Sequence, residues 1–313
     1  MKKILSIVFI LLFVFTLASC NEKGNNNSGL VGPTNEIKII LPNGTPYVAL
    51  GGLLGTDNIS IEAVQGPANL KTALVSGSHD IVIAPVNIGA SQYVGGFSKY
   101  KLAAVVTMNN AYIVTKEENN LTGLSDLVGQ KVAAFGQAGI PGSLLTKLYN
   151  DNENLDINNV SFTLQSSSAV YSAFVGGSLE EKYVLMSEPE ISRMIIENNF
   201  KVKKLDLCSL LGIDVAQACV FVNPESANQD DISKVLGLIK ENIQNLNENP
   251  TAYVEKIITL DRNFGGTGKE VLINSIPTSN IVYKETSEAK TIVEAILTIL
   301  NIGAPNEEFY YKN

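Results

Sequence analysis

Short runs of β-branched and other apolar residues alternate with longer amphipathic segments through most of this chain. Runs of this length, bounded by turn residues, are typical of buried strands, and the segments between them have the period of surface helices. The alternation favours parallel strands joined by helices that cover both faces of a sheet. The chain is therefore predicted to be an α/β protein.

The predicted elements form two groups, separated by the polar run 116–120. Strands of the first group are predicted at 37–42, 60–64, 81–85, 102–107 and 111–115. The second group has strands at 131–135, 160–164 and 183–187 and helices at 142–150, 168–175 and 190–198. A strand at 218–223 then precedes three or four helices. A chain of this length can form two lobes, each with its own core.

The two groups also resemble each other in sequence. When residues 64–78 are placed over 164–178, five positions carry the same residue: Gln65 and Gln165, Ala73 and Ala173, Val75 and Val175, Gly77 and Gly177, Ser78 and Ser178. The match predicts two lobes built on one plan. Chance similarity between ordinary α/β units remains the alternative, and it leaves the two-lobed prediction unchanged.

Ligands of such sheets bind beyond the carboxyl ends of the strands, where loops lead into helix N-termini with free N–H groups. Polar residues recur in these loops of both predicted lobes. The candidate ligand-binding residues are Asn43, Thr45, Tyr47 and Asn87 in the first lobe and Gln137, Ser143, Ser168, Tyr171 and Glu188 in the second. Taken singly, each residue could instead be an ordinary turn, cap or core residue.

The nature of the ligand is less well determined by the sequence. No arginine or lysine falls in the candidate loops, and Glu188 would disfavour an anion and suit a ligand with N–H donors or positive charge. Glu188 could equally be a surface carboxylate at the start of a helix. Tyr47, Tyr93, Tyr112 and Tyr171 could stack on a flat ring or belong to the core. These features favour a small organic, nitrogen-containing solute over an oxyanion.

Other function classes find little support. The excess of acidic over basic residues disfavours a nucleic-acid surface. The single histidine, His79, lies in a predicted turn without the partners of a metal site or a catalytic relay. The run Gly265-Gly266-Thr267-Gly268-Lys269 fails as a phosphate-binding loop, because Asn263 stands at the required first glycine and Glu270 replaces the hydroxyl residue. We therefore expect no enzyme, no cofactor and no metal.

The first residues have the features of an export signal. Lys2 and Lys3 precede an uncharged apolar run, which ends in Leu17-Ala18-Ser19-Cys20. This arrangement resembles a bacterial lipobox, in which Cys20 carries a diacylglycerol and becomes the new N-terminus. Residues 1–19 are then the signal peptide and residues 20–35 a flexible tether. An ordinary secretory signal with a chance cysteine is the alternative. Cys208 and Cys219 could pair, although two free buried thiols are favoured.

Several segments occur in an order typical of one family. They are 41–46, 76–87, 124–132, 187–189, 222–225, 246–250 and 308–311, with sequences such as Leu-Pro-Asn-Gly-Thr-Pro and Ser-Glu-Pro. With the lipobox, they resemble the type II periplasmic binding proteins of ABC importers, in the branch that binds nitrate, sulfonates, taurine and thiamine precursors. The resemblance covers essentially the whole chain after the signal.

The resemblance implies two α/β lobes that close on a ligand, with lobe 1 at 36–115 plus 218–313, lobe 2 at 116–217, and hinge crossings near Thr115 and 218–221. It implies a monomeric lipoprotein, anchored through Cys20 outside the cytoplasm, which delivers a small organic solute to an ABC permease and its ATPase. A ligand-sensing lipoprotein with a different membrane partner is the first alternative. An enzyme like the thiamine-precursor synthases of fungi is the second, but the cysteine-rich motif and histidines of those enzymes are lacking here.

Overall fold

The computed structural model describes residues 31–226, 228–262 and 264–312. The predicted signal peptide, the lipobox Cys20 and residues 20–30 of the predicted tether lie outside the described residues. Within the described ranges, no helix combines the length and apolar character that a membrane crossing requires.

The strands agree closely with the predicted ones. They are β1 (Ile37–Pro42), β2 (Ile59–Val64), β3 (Ile81–Pro85), β4 (Lys101–Met108), β5 (Tyr112–Lys116), β6 (Val132–Phe135), β7 (Val160–Leu164), β8 (Tyr183–Met186), β9 (Val202–Asp206), β10 (Ala216–Val222) and β11 (Ile281–Glu285). Two of them, β9 and β11, were not predicted.

Helices connect most of these strands. They are α1 (Thr45–Leu50), α2 (Pro67–Ser76), α3 (Val86–Val94), α4 (Ile140–Asn150), α5 (Ser167–Val175), α6 (Glu190–Asn198), α7 (Leu207–Leu211), α8 (Gln229–Glu248), α9 (Pro250–Leu260), α10 (Lys269–Ser275) and α11 (Thr286–Ile299). The amphipathic segments between the predicted strands are thus helical.

Two sheets organise the chain, and they share one strand order. The first runs β2-β1-β3-β10-β4-β11 and the second β7-β6-β8-β5-β9. In each sheet the first three strands of a lobe pair in parallel, and a strand arriving from the other lobe, β10 or β5, runs antiparallel to its neighbours. The predicted α/β fold with two lobes and two crossings is confirmed, with mixed sheets.

The internal repeat has a structural counterpart. The β2–α2 unit occupies the same place in the first sheet as the β7–α5 unit does in the second. Gly77 and Gly177, which follow these helices, have nearly the same φ, 69° and 70°. The aligned residues therefore belong to equivalent units of the two lobes.

The boundaries between the sheets differ from the predicted ones. Strand β5 lies in the second sheet, between β8 and β9, so the prediction that residues 111–115 belong to lobe 1 is wrong. Strand β10 joins the first sheet at Ala216, opposite Met108, two residues earlier than predicted. The crossings therefore lie near 109–111 and 212–215. The polar run after Thr115 marks the end of β5 rather than a change of lobe.

The folded body also begins earlier than Glu36. The Asp231 carboxylate accepts hydrogen bonds from the backbone N–H of Thr34 (2.7 Å) and of Asn35 (3.0 Å). These bonds lower the pKa of Asp231, so the attachment is present at neutral pH and is lost as the pH falls through the lowered pKa. Lys234 adds a bond to the carbonyl of Gly32 (2.6 Å). The prediction of a free tether is wrong for residues 32–35.

Apolar clusters cover both faces of the first sheet. One joins the sheet to α1, α8 and α9. The other includes α2, α3 and α11 and continues past the crossings into α4 of the second lobe. Cys208 and Cys219 are buried and unpaired, as the sequence favoured, and burial raises the pKa of Cys208 to about 12. One continuous core thus supports the region where the lobes join.

A close approach between α3 and β10 gives a test of this packing. A Cβ on Gly89 would lie 2.1 Å from the ring of Phe221, whereas a Cβ on the exposed helical Gly237 would meet nothing within 4 Å. We expect Gly89→Ala to lower the free energy of unfolding by about 1–3 kcal/mol. The control Gly237→Ala should raise it by about 0.5–1 kcal/mol. Urea unfolding measures both, and equal effects would contradict the packing.

Candidate functional site

The carboxyl ends of β1 and β8 face each other across the junction of the lobes. Thr45 lies three residues beyond the end of β1, and its hydroxyl lies 3.4 Å from the carbonyl oxygen of Glu188, which lies two residues beyond the end of β8. Asn110, in the first crossing, holds the same residue: its Oδ1 accepts from the Glu188 N–H (2.8 Å) and its Nδ2 donates to the Glu188 carbonyl (3.1 Å). All three residues are buried. Strand ends from both lobes therefore meet at one place.

The Glu188 carboxylate is engaged by the protein. Its Oε1 accepts a hydrogen bond from Thr278 (2.9 Å), and its Oε2 accepts one from the Ser192 N–H (2.9 Å). Lys204 lies 3.6 Å from Oε1, and the Glu188 side chain is 2 % exposed. Thr278 belongs to lobe 1, whereas the other partners belong to lobe 2. Glu188 thus links the two lobes. Both oxygens of its carboxylate already have partners within the protein, so the carboxylate is not free to select a ligand in the way the sequence suggested.

Tyr112 completes this polar cluster. Its hydroxyl donates to the carbonyl of Thr278 (3.1 Å), and its ring lies 4.5 Å from the Lys204 ammonium. Burial, reinforced by nearby Asp206, raises the pKa of Tyr112 above its ordinary value. The phenol therefore stays protonated at physiological pH and keeps its donor role.

Arg193 on α6 forms a second contact between the lobes. Its Nη2 donates to the carbonyl of Gly266 (3.2 Å) and to the hydroxyl of Thr267 (3.1 Å), and its Nη1 pairs with Glu190 at 3.0 Å. Burial raises the pKa of Glu190, and Arg193 partly offsets this rise. The glycine-rich segment that fails as a phosphate loop therefore serves as a docking point for α6.

Two predicted ligand residues line an open cavity between the lobes. Gln137 and Ser143, near the start of α4, border a cavity of about 530 Å³ together with the end of α11 at Thr298 and Asn301. The helix start carries no side-chain cap, so its first N–H groups have no side-chain acceptor. Both residues therefore border the space between α4 and the end of α11.

The two predicted tyrosines take part in packing. The Tyr47 ring stacks on Phe264 at 4.3 Å and its hydroxyl donates to Asp261 (3.0 Å). Burial and this acidic partner raise the pKa of Tyr47 to about 12. Tyr171 donates to Asn198 (2.8 Å) and lies against the Arg193 guanidinium. Each ring therefore has a partner within the protein on one face.

The remaining predicted residues lie at strand ends. Asn43 is half-buried, and its backbone N–H donates to Val64, which ties the ends of β1 and β2 together (3.0 Å). The Ser168 hydroxyl bonds that of Ser166 (3.0 Å) at the start of α5. Asn87 lies in the first turn of α3, and its buried Oδ1 has no hydrogen-bond partner. Of these three residues, only Asn87 has a buried side-chain atom without a hydrogen-bond partner among the described residues.

Glycines leave the strand ends of lobe 1 open. Gly44 follows β1 with φ 91° and Gly66 follows β2 with φ 72°, conformations that other residues rarely adopt. A Cβ at either position would meet no atom within 4 Å. The backbone therefore borders open space, where a ligand can approach it closely.

Several residues of this region were not among the predicted ones. Asn110, Thr278, Arg193 and Lys204 all contribute to the junction. The Asn109-Asn110 pair after a strand was a usable signal, since polar pairs at strand ends mark the candidate loops. Thr278 gave no signal, because it reaches Glu188 from 90 residues away.

Metal ligation finds no support in the described residues, where no group of three His, Cys, Asp or Glu side chains could hold an ion. His79 instead bonds Ser78 (2.9 Å) and lies 3.3 Å from Glu62. Both ring nitrogens of His79 thus have a neighbouring side chain as a partner.

Comparison with known proteins places the fold. No protein-family model and no curated protein matches the chain. Among solved structures, an ABC transporter protein of Parabacteroides distasonis is 19 % identical, with a TM-score of 0.73, and the match covers 89 % of this chain and 99 % of that one. This chain has the periplasmic binding protein fold, as the next two structures show. The predicted fold class is thereby confirmed.

Two further relatives of the periplasmic binding protein fold have named ligands. The periplasmic aliphatic sulphonate-binding protein of Escherichia coli is 13 % identical with a TM-score of 0.67, covering 89 % of this chain and 92 % of that one. The periplasmic nitrate-binding protein of Synechocystis is 11 % identical with a TM-score of 0.64, covering 86 % and 81 %. At these identities the likeness concerns the fold.

The Glu188 link between the lobes is directly testable. Thr278→Val removes the hydroxyl that donates to the buried carboxylate, and we expect it to lower the free energy of unfolding by about 1–3 kcal/mol. The radius of gyration in small-angle X-ray scattering should increase as the lobes separate. The control Thr72→Val alters an exposed hydroxyl on α2, and it should change stability by less than about 0.5 kcal/mol. An unchanged Thr278→Val protein would contradict the link.

Proposed function

We propose that this chain is an extracytoplasmic solute-binding lipoprotein that captures a small organic solute between its lobes and delivers it to the permease of an ABC importer. The observation that carries the proposal is the meeting of strand ends from two like sheets at Thr45, Asn110 and Glu188. Ligands of open α/β sheets bind at such ends. The named ligands of the sulphonate-binding and nitrate-binding relatives support a small solute.

Ligand capture follows from contacts on both lobes. A solute that touches both lobes favours the arrangement in which they are close, by the difference in its affinity for the two arrangements. The Glu188–Thr278 and Arg193–Gly266 bonds already join lobe 2 to lobe 1. A permease that binds the joined form would then respond to the loaded protein. We propose a monomer with lobe 1 near 32–108 plus 216–312 and lobe 2 between them.

Co-purification of the solute tests the proposal. Native mass spectrometry of the chain purified from its own cells should show a small molecule that is released on denaturation and that raises the melting temperature when it is added back. A protein that carries no solute and responds to no sulfonate, oxyanion or nitrogen heterocycle would contradict solute binding. A solute that is converted to a product would instead favour an enzyme.

Lipid attachment at Cys20 is a separate prediction. Two or three acyl chains, each methylene contributing about 0.8 kcal/mol, would hold the chain on a membrane. We expect wild-type chain to incorporate an alkyne-labelled fatty acid and to sediment with membranes. Cys20→Ser should lose the label and enter the soluble fraction, whereas the control Cys208→Ser should retain both. Labelling of Cys20→Ser would contradict the lipobox.

A further inference from the structure

Three buried polar side-chain atoms lack a hydrogen-bond partner in the part of the chain that the structure describes: Asn87 Oδ1, Gln217 Nε2 and Tyr149 OH. Such atoms are rare in folded proteins, because an unpaired buried polar group costs about 1–3 kcal/mol. Tyr149 lies on α4 among apolar residues, and burial raises its pKa to about 12. Its hydroxyl is an isolated case, whereas the two amides belong to residues beside one pair of adjoining strands, β3 and β10.

Asn87 and Gln217 lie at the same corner of the first sheet. Pro85, the last residue of β3, pairs with Ala218 of β10. Gln217 is the neighbour of Ala218, and Asn87 follows Pro85 by two residues. The corner is the carboxyl end of β3, beside the second crossing, where Val215 bonds Asn109. It therefore belongs to the same edge of the sheet as Thr45.

The strand is irregular at Gln217. Along β4, Ala216 pairs with Met108 and Ala218 with the adjacent Thr107, so Gln217 is an extra residue that forms a β-bulge. Bulges redirect a side chain and are frequent beside binding sites. The bulge and the two unpaired amides are independent observations that point to one subsite.

The chemistry of the corner selects a ligand class. An amide oxygen such as Asn87 Oδ1 can only accept a hydrogen bond and an amide nitrogen such as Gln217 Nε2 can only donate one, and neither side chain is charged. The Glu188 carboxylate at the end of β8 has its own cationic partner, because Lys204 lies 3.6 Å from it. An oxyanion has only acceptor atoms, so it would leave the Asn87 oxygen unpaired and would find no cation among these residues.

We infer that Asn87 and Gln217 are specificity-determining residues of the cleft, and that its solute is an uncharged organic molecule with an N–H donor beside an acceptor. A carboxamide, a ureide or an amino-substituted nitrogen heterocycle has this arrangement. The inference rests on the proposed function and narrows it. It separates this chain in ligand class from the sulphonate-binding and nitrate-binding relatives.

Substitution by apolar side chains of similar size tests the inference. The full-length wild-type chain is compared with Asn87→Leu, Gln217→Met and the control Tyr149→Phe. Each variant loses one unpaired atom, so without ligand each should melt at the same temperature or higher, by up to about 3 °C. Nicotinamide, cytosine and urea serve as neutral probes, and nitrate, sulfate and ethanesulfonate serve as anionic probes at equal concentration.

We expect at least one neutral probe to raise the melting temperature of wild type and of Tyr149→Phe. Asn87→Leu and Gln217→Met should lose this rise, with affinity at least tenfold weaker by calorimetry. The molecule released from purified wild type by denaturation should be neutral and carry an N–H donor.

Three results would overturn the inference. A large fall in melting temperature of unliganded Asn87→Leu would show that the amide holds a structural water rather than a ligand. A response to the anions alone, or release of an oxyanion, would contradict the ligand class and leave solute binding intact. The lack of any solute and of any response would contradict the proposed function itself.

Discussion

The hydrogen bonds between the Asn110 side chain and the Glu188 peptide join the first crossing to the end of β8, at the place where strand ends of the two lobes meet. Asn110 lies where the chain first crosses between the sheets, and its amide pairs with the N–H and the carbonyl of Glu188 as a neighbouring strand would. Because these groups are buried, breaking the pair without replacement would leave unpaired polar atoms in a medium of low dielectric constant. The geometry at this residue therefore fixes how the end of β8 faces the end of β1.

The strand order explains why strand ends of both lobes lie at this junction. Both sheets place the first strand of the lobe between the second and the third, followed by the crossing strand. With parallel pairing among these three strands, their carboxyl ends lie on one edge of each sheet, and the crossings turn the two edges toward each other. The cleft is thus a product of topology more than of individual side chains, which is consistent with a shared fold at 11–19 % identity.

The alternation of apolar runs was sufficient to predict most strands, because central strands are buried on both faces and have few polar residues. Strand β9, Val-Lys-Lys-Leu-Asp, lies at the edge of its sheet, where charged side chains reach solvent, and the apolar pattern therefore missed it. The rule of strand ends selected Thr45 and Glu188, which lie together in the structure. It could not predict their roles, because the partner Thr278 is remote in sequence and because Gln217 depends on a bulge that no local pattern marks.

The uncharged amides of Asn87 and Gln217 also bear on how a solute could be held. Each hydrogen bond from an uncharged amide contributes only about 0.5–1.5 kcal/mol net, so tight binding requires several such bonds together with burial of apolar surface. The bonds of Glu188 and Arg193 already join the lobes, so the solute need not supply the whole free energy of bringing them together. The same bonds would limit how far a solute changes the arrangement of the lobes. A solute shifts the equilibrium between two arrangements only by the difference in its affinity for them. If the chain binds a solute as proposed, the balance between contacts within the protein and contacts with the ligand would set both the affinity and the extent of lobe closure.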